Sequence, residues 1–215
     1  MLYYDAAHWM AFLAAALLLN ISPGPDIAFI LGKALTGGAR TGFLAMLGIW
    51  SGTLVHVLLA TVGLSALLVA SATAFALVKW AGAAYLVWLG VEALRSKGGS
   101  FITGAELPGR MSSWRTFRQG ILVSSLNPKV AVFFLAFLPQ FVVAGAGPVA
   151  LQLAFHGILI IVVAALVEPP LVLLAGRLAN WFRANNRAAI WLDRALGGLL
   201  IALGVRLALS ADIRS

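Results

Sequence analysis

The stretch Asn20-Ile21-Ser22-Pro23-Gly24-Pro25-Asp26 interrupts the first hydrophobic run of the chain. Two prolines and a glycine cannot lie inside an unbroken helix, because each proline removes a backbone donor and clashes with the preceding turn. In a bilayer such a break is tolerated only where it is buried in protein or lines a cavity. Asp26 adds an ionisable group at the break, and an ionisable group within a membrane is by default a candidate functional site. The rest of the chain is therefore expected to enclose this segment.

The composition is that of a membrane protein. Of the 215 residues, 62% are hydrophobic and only 10% are charged, whereas soluble domains carry about 25% charged residues. The hydrophobic residues form runs of about 20, the length of a helix that crosses a bilayer. We therefore predict an all-α integral membrane protein surrounded by lipid. The chain has no cysteine, which excludes disulfides, thiol catalysis and thiolate metal sites, and no cofactor is expected.

Six transmembrane helices are predicted from the hydrophobic runs. Their approximate residue ranges are 7–31, 42–66, 74–94, 118–138, 149–174 and 190–209.

The basic residues predict the orientation and also account for the net charge of +8. Loops 1–2, 3–4 and 5–6 share most of the lysines and arginines: Lys33, Arg40, Arg95, Lys97, Arg110, Arg115, Arg118, Arg177, Arg183, Arg187 and Arg194. Because cytoplasmic loops accumulate these residues, the three loops are predicted to be cytoplasmic and both termini outside the cell membrane. The same bias makes a nucleic-acid partner unnecessary as an explanation of the charge.

The two halves of the chain resemble each other. The segment Pro25-Asp26-Ile27-Ala28 resembles Pro128-Lys129-Val130-Ala131, and Leu89-Gly90-Val91 recurs as Leu203-Gly204-Val205. We therefore predict a first three-helix repeat (residues 1–95), a cytoplasmic Gly/Ser-rich linker (residues 96–113) and a second repeat (residues 114–215). A unit of three spans ends on the opposite side from its start, so the second copy must be inverted, which is a recurring transporter plan.

A second break is predicted near the centre of the fourth span, at Asn127-Pro128-Lys129. Asn127 suits a helix N-cap and Pro128 the first helical position. Lys129 would then lie in the first turn, where the helix dipole is already positive. A lysine there is electrostatically unfavourable unless an anion binds opposite it, such as the carboxylate of a substrate.

Asp26 allows three interpretations. It could cap the half-helix that begins at Pro25, it could pair with Lys129, or it could hold the ammonium group of a substrate. In the third case Asp26 and Lys129 together would complement a zwitterion.

Glu168 and His56 are candidates for proton coupling. Glu168 precedes two prolines late in the fifth span, where a carboxyl group is expensive unless it is paired or protonated. Its alternative is a structural bond to a carbonyl that Pro169 or Pro170 leaves free. His56 lies within the second span, where it could relay protons or hydrogen-bond between helices.

Two glycine spacings, Gly38-xxx-Gly42 and Gly48-xxx-Gly52, permit close helix packing, which leaves a homodimer through these glycine-rich faces as one arrangement. The chain carries no zinc-protease motif, nucleophile elbow or P-loop. No loop could hold a nucleotide-binding domain, so transport would be driven by a gradient.

The chain resembles the lysine exporter family of bacterial amino-acid efflux proteins. The resemblance is carried by Ser22-Pro23-Gly24-Pro25-Asp26, by Lys79-Trp80-Ala81-Gly82-Ala83-Ala84-Tyr85-Leu86, by Asn127-Pro128-Lys129 and by Phe137-Leu138-Pro139-Gln140-Phe141. It is looser from residue 145 onward, and Glu168 departs from the aspartate that is usual in the fifth span of such proteins. The resemblance implies six spans and export of amino acids or close derivatives against proton influx.

We therefore expect a secondary exporter of the inner membrane. Its substrate site would comprise Pro23, Gly24, Pro25, Asp26, Asn127 and Lys129. Glu168, Asp26 or His56 would carry the proton. One alternative is a divalent metal-ion exporter of the same superfamily, with Asp26, Glu168 and His56 as ligands, which the fixed charge of Lys129 disfavours. The other is an intramembrane enzyme, for which no activated nucleophile is evident.

Overall fold

A computed structural model describes residues 4–22, 24–64, 72–96 and 112–209. Within these residues the chain is helical and contains no strand. In chain order the helices are α1 (Ala6–Ile21), α2 (Pro25–Leu59), α3 (Ala72–Leu94), α4 (Ser113–Ser125), α5 (Pro128–Val132), α6 (Val149–Ala184) and α7 (Asn186–Leu209). The prediction of an all-α protein is confirmed. Most of the predicted linker, residues 97–111, lies outside the described residues.

The first hydrophobic run forms two helices that meet at the predicted break. The carboxylate of Asp5 caps α1 by accepting a hydrogen bond from the backbone amide of His8 at 2.7 Å. The helix ends at Ile21, and α2 begins at Pro25. Proline suits this first position because its missing amide hydrogen would have no partner there.

Gly38 divides α2 into two parts, which we call α2a (residues 25–37) and α2b (residues 39–59). Its backbone has φ of 77° and ψ of 176°, which is not helical and which essentially only glycine adopts readily. α1 and α2a together correspond to the first predicted span, and α2b, continued by a π-helical segment at Ala60–Leu64, corresponds to the second. The turn between these spans is therefore a single glycine.

The fourth predicted span is also broken at the expected place. α4 ends at Ser125, and α5 begins at Pro128. Beyond α5 the chain continues through a π-helical segment, Phe133–Phe137, and a 3₁₀ turn, Leu138–Phe141. The two parts of the span, Ser113–Ser125 and Pro128–Phe141, are bent by 46°. Both breaks follow from local chemistry, since proline cannot donate the backbone hydrogen bond that would continue the helix.

The described residues contain four helices that are long and apolar enough to cross a membrane, and the bent pair makes a fifth candidate. α1 is apolar but has only 16 residues, or about 24 Å at 1.5 Å per residue. That is shorter than the hydrocarbon core of about 30 Å, so α1 alone is too short to cross it. The protein is a multi-pass membrane protein.

Several basic residues that were assigned to the predicted loops lie on helices. Lys33 was assigned to loop 1–2 but lies within α2a, 8% exposed, with its ammonium 5.3 Å from the centre of the Phe29 ring. The helix passes Lys33 because Gly38 is the residue that interrupts it. The fifth span was predicted to end at residue 174, but α6 continues to Ala184, so Arg177 and Arg183 lie on this helix. Arg187 and Arg194, assigned to the same loop, lie on α7.

Close contacts between glycines join the helices into two pairs. Gly48 on α2b lies against Gly120 on α4, and a Cβ atom built on Gly48 would come within 2.3 Å of the carbonyl oxygen of Phe117. Gly52 meets the same helix at the carbonyl of Ile121. Only glycine allows the two backbones to approach this closely. The face that carries Gly48 and Gly52 is thus occupied within the chain, and a homodimer stays a prediction.

The second pair is formed by α3 and α7. A Cβ atom on Gly90 would lie 2.6 Å from the carbonyl oxygen of Gly197, and one on Gly204 would lie 2.9 Å from the carbonyl oxygen of Ala83. Residue numbers rise along α3 as they fall along α7 in these contacts. The two helices are therefore antiparallel, and they approach each other through glycine at both contacts.

Candidate functional site

Lys129 joins the second break to the first. Its side chain is 5% exposed, and its ammonium donates hydrogen bonds to the carbonyl oxygens of Leu19 at 3.1 Å and Ser22 at 2.9 Å. In a continuous helix the carbonyl of Leu19 would accept from residue 23, which is a proline and has no amide hydrogen. Lys129 therefore supplies a donor that the break in α1 removes, and its positive charge lies at the helix end that favours a cation.

Asn127 connects Asp26 with the second half-helix. Its side-chain oxygen accepts from the backbone amide of Lys129 at 3.0 Å, which makes it the predicted N-cap of α5. Its side-chain nitrogen donates to Oδ1 of Asp26 at 2.8 Å. Asp26 is 8% exposed and lies in the first turn of α2, where the helix dipole favours a negative charge. Asp26 thus bonds to Asn127, and no direct ion pair joins it to Lys129 among the described contacts.

Gly24 allows this close approach of the two breaks. Its backbone is extended, with φ of 176°, so its conformation does not demand glycine. A Cβ atom at this position, however, would lie 3.1 Å from the Lys129 ammonium and 3.3 Å from the neighbouring carbon. Pro25 occupies the first position of α2 and is exposed, so its role is to start the helix. Pro23 lies outside the described residues.

Glu168 is held by a residue that the sequence analysis missed. The carboxyl group is 3% exposed, and its Oε2 accepts a hydrogen bond from the indole nitrogen of Trp50 at 2.7 Å. Trp50 lies on α2b, in the middle of its span. Tryptophans near span ends suit the membrane interface. The position of Trp50 away from a span end was therefore the sequence signal that could have marked it as a site residue.

The charged residues of both breaks meet at one small cavity inside the bundle. Asp26, Lys129, Glu168 and Trp50 line it, and its remaining walls are mostly apolar: Leu19, Asn20, Ile27, Ile49, Thr53, Val130, Ile160, Ile161 and Ala164. Its volume is about 20 Å³, which is room for about one water molecule. The cavity as it stands is therefore too small for an amino acid.

Each carboxyl group at the cavity has one oxygen bound by the protein and one that no donor of the described residues contacts. Oδ1 of Asp26 accepts from Asn127, and Oε2 of Glu168 accepts from Trp50. No donor among the described residues contacts Oδ2 of Asp26 or Oε1 of Glu168. Neither oxygen is among the fully buried polar atoms that lack a hydrogen bond. Two acceptor oxygens therefore remain for a ligand at the cavity.

His56 does not line the cavity. Its Nε2 lies 3.0 Å from the carbonyl oxygen of Ser124, and since a carbonyl can only accept, this nitrogen donates. The ring also stacks on Phe134 with centroids 5.8 Å apart. These contacts connect α2b to the end of α4 and to the segment after α5. They correspond to the second role considered for His56, a hydrogen bond between helices. A role of His56 in proton coupling stays a prediction.

The metal-ion alternative finds little support in the part of the chain that is described. No group of three or more histidine, aspartate and glutamate side chains there could hold a metal ion. The lysine ammonium at the same cavity would also repel a cation.

The chain is similar to known proteins along most of its length. Residues 17–211 match the family model of the LysE type translocators. A homoserine/homoserine lactone efflux protein of Salmonella typhi is 34% identical over 200 residues, covering 93% of this chain and 95% of that protein. An uncharacterized membrane protein of Vibrio cholerae is 31% identical over 206 residues, covering 95% of this chain and 98% of that protein.

A more distant relative is a leucine efflux protein of Enterobacter sp. (strain 638), 29% identical over 143 residues and covering 65% of each chain. No solved structure matches the chain significantly. The family match spans both helix breaks and all of the residues that line the cavity. This protein therefore belongs to the LysE type translocator family and is a transporter.

Proposed function

We propose that the protein exports amino acids or close derivatives from the cytoplasm across the bacterial inner membrane, by proton antiport. Two relatives are named as efflux proteins, one for homoserine and homoserine lactone and one for leucine, which supports this substrate class. The observation that carries the proposal is the meeting of Asp26, Lys129 and Glu168 at one interior cavity beside two broken helices. Half-helix ends around a buried site are a common transporter design.

The charges at the cavity suit the two ends of an amino acid. The free oxygen of Asp26 would bind the ammonium group of the substrate. Lys129 has three donor hydrogens and uses two of them on the carbonyls of Leu19 and Ser22, so one remains for the carboxyl end of the substrate. Gly24 keeps the space beside this ammonium free of a side chain.

The exchanged proton would be carried by Glu168 or by Asp26. A protonated carboxyl group no longer attracts an ammonium ion, so a proton that arrives from outside weakens the binding of the substrate. Loss of that proton to the cytoplasm restores the negative charge. Proton influx and substrate release on the outer side would thus be linked through a single charge.

An inverted repeat would provide the two states that such exchange requires. Gly90 contacts Gly197, and Ala83 contacts Gly204. Each residue on α7 lies 114 positions after one on α3, since Gly197 corresponds to Ala83 and Gly204 to Gly90. The two contacts are therefore equivalent. This symmetry supports repeats at residues 1–95 and 114–215, related by an axis in the membrane plane. We further propose that the basic loops 1–2, 3–4 and 5–6 are cytoplasmic.

Opening of the cavity would occur between two apolar clusters. Val130 and Ile160 belong to a cluster rich in phenylalanine, whereas Ile27 and Ile49 belong to a second cluster formed by α2a, α2b and α6. The cavity lies where the two clusters meet. Separation of either cluster would open it toward one side of the membrane, which is alternating access.

Export from loaded vesicles tests the proposal. Purified protein is reconstituted, loaded with a mixture of amino acids and given an inward proton gradient. We expect one or more amino acids to leave faster with the wild type than with Lys129→Ala or Asp26→Asn. Asp5→Asn is the matched control, since it makes the same chemical change at an exposed residue and keeps an oxygen for capping α1. If divalent cations leave and no amino acid does, the metal-ion alternative replaces this proposal.

A further inference from the structure

The two carboxyl groups at the cavity share one arrangement. Each has one oxygen fixed by a neutral donor, the amide of Asn127 or the indole of Trp50, and one oxygen that no donor of the described residues contacts. Neutral donors hold the carboxyl groups in place without cancelling their charge. The protein therefore orients both groups toward a shared space and leaves their negative charges to be balanced from within it.

Among the described residues, the one other charged group that lines the cavity is Lys129. Two carboxylates and one ammonium leave the ionised site with one net negative charge. The Lys129 ammonium is also bound to two backbone carbonyls, whose negative ends already balance part of its charge. The site is thus short of one positive charge, which either a proton or one cationic group could supply.

A free amino acid does not supply that charge, because its ammonium and carboxylate cancel. An amino-acid derivative in which the carboxyl is masked, as an amide, ester or lactone, carries the ammonium alone. Its acyl oxygen can still accept the remaining hydrogen of Lys129. Such a cation and a proton are then equivalent in charge, so each can replace the other at the same site.

We propose that Asp26 and Glu168 form one binding site for a single primary ammonium, and that the protein favours carboxyl-masked amino-acid derivatives over the free amino acids. This inference rests on the proposed export function and specifies its substrate class. Asn127 and Trp50 position the two carboxylates for the same ammonium. The apolar remainder of the lining sets which side chain is accepted.

Binding of matched pairs to the purified protein tests the inference without passive leakage of amines through a bilayer. The pairs are leucine with leucinamide and homoserine with homoserine lactone, titrated by calorimetry at neutral pH, because added protons would fill the same site. The masked member is expected to bind at least about tenfold more tightly, since an unbalanced unit charge within about 6 Å at an effective dielectric constant of about 20 is worth more than this factor.

The variant Glu168→Gln makes the inference sharper. It removes one negative charge, so the ionised site becomes neutral and the preference should reverse toward the free amino acid. Asp5→Asn should keep the wild-type preference. Equal or tighter binding of the free amino acids by the wild type would overturn the inference, and so would an unchanged preference in Glu168→Gln.

The same pairs in the vesicle assay separate this inference from the export proposal. Efflux in protein-free vesicles is subtracted for each compound. Faster protein-dependent efflux of the free amino acids would leave the export function standing and refute the substrate class. Absence of protein-dependent efflux for all four compounds would refute both.

Discussion

The variant Lys129→Met tests whether this lysine stabilises the fold in addition to binding the substrate. Methionine keeps the length and most of the volume of the side chain but has no donor. The carbonyl oxygens of Leu19 and Ser22, which accept from the ammonium at 3.1 and 2.9 Å, would lose that partner. A lysine that served only to bind substrate could be replaced without loss of stability.

The expected loss follows from the two carbonyls. An unsatisfied buried acceptor costs about 1–3 kcal/mol, and burying methionine instead of a charge recovers part of this sum. The charge is removed while its partners remain, so the destabilising term should dominate. We expect a net loss of about 2 kcal/mol. For a chain of this size that lowers the melting temperature by about 4 °C or more.

The assay is thermal unfolding of the purified protein in detergent. The measured quantity is the fraction of protein that remains monodisperse after heating to each temperature. Arg118→Met is the matched control, because it removes a cation from an exposed position on α4. We expect the control to melt within about 1 °C of the wild type. If Lys129→Met did the same, the two carbonyl bonds would contribute nothing to stability, and the view of Lys129 as a partner of the broken helix would be wrong.

Two further predictions concern glycines. Gly48→Ala places a Cβ atom 2.3 Å from the carbonyl oxygen of Phe117, so α2b and α4 must separate at a cost of about 1–3 kcal/mol. The control is Gly176→Ala, whose Cβ atom meets nothing within 4 Å and which should be neutral or stabilising. Equal melting temperatures of the two variants would contradict this prediction. A Cβ atom at Gly38 also meets no atom within 4 Å. The loss of about 1–3 kcal/mol of stability that we expect for Gly38→Ala would therefore come from the backbone conformation alone. The same thermal assay measures it, and a wild-type melting temperature would show that the turn does not require glycine.

The helix breaks were predictable because their causes are local. A proline removes its own amide hydrogen wherever the chain places it, so the interruptions before Pro25 and at Pro128 follow from the sequence. The cap formed by Asn127 is likewise a bond within two residues. The turn at Gly38 was not predicted, because glycine is frequent throughout this chain and a positive φ is not visible in composition.

The sequence by itself determined that the chain is helical, apolar and interrupted at two places, and it singled out Asp26, Lys129 and Glu168 as costly charges in a membrane. Only the tertiary structure decided what those charges contact. The bond from Asn127 to Asp26 joins residues 101 positions apart, and the bond from Trp50 to Glu168 joins residues 118 positions apart. Such partners are set by how whole helices pack, and the periodicity of a single helix carries no information about its neighbour.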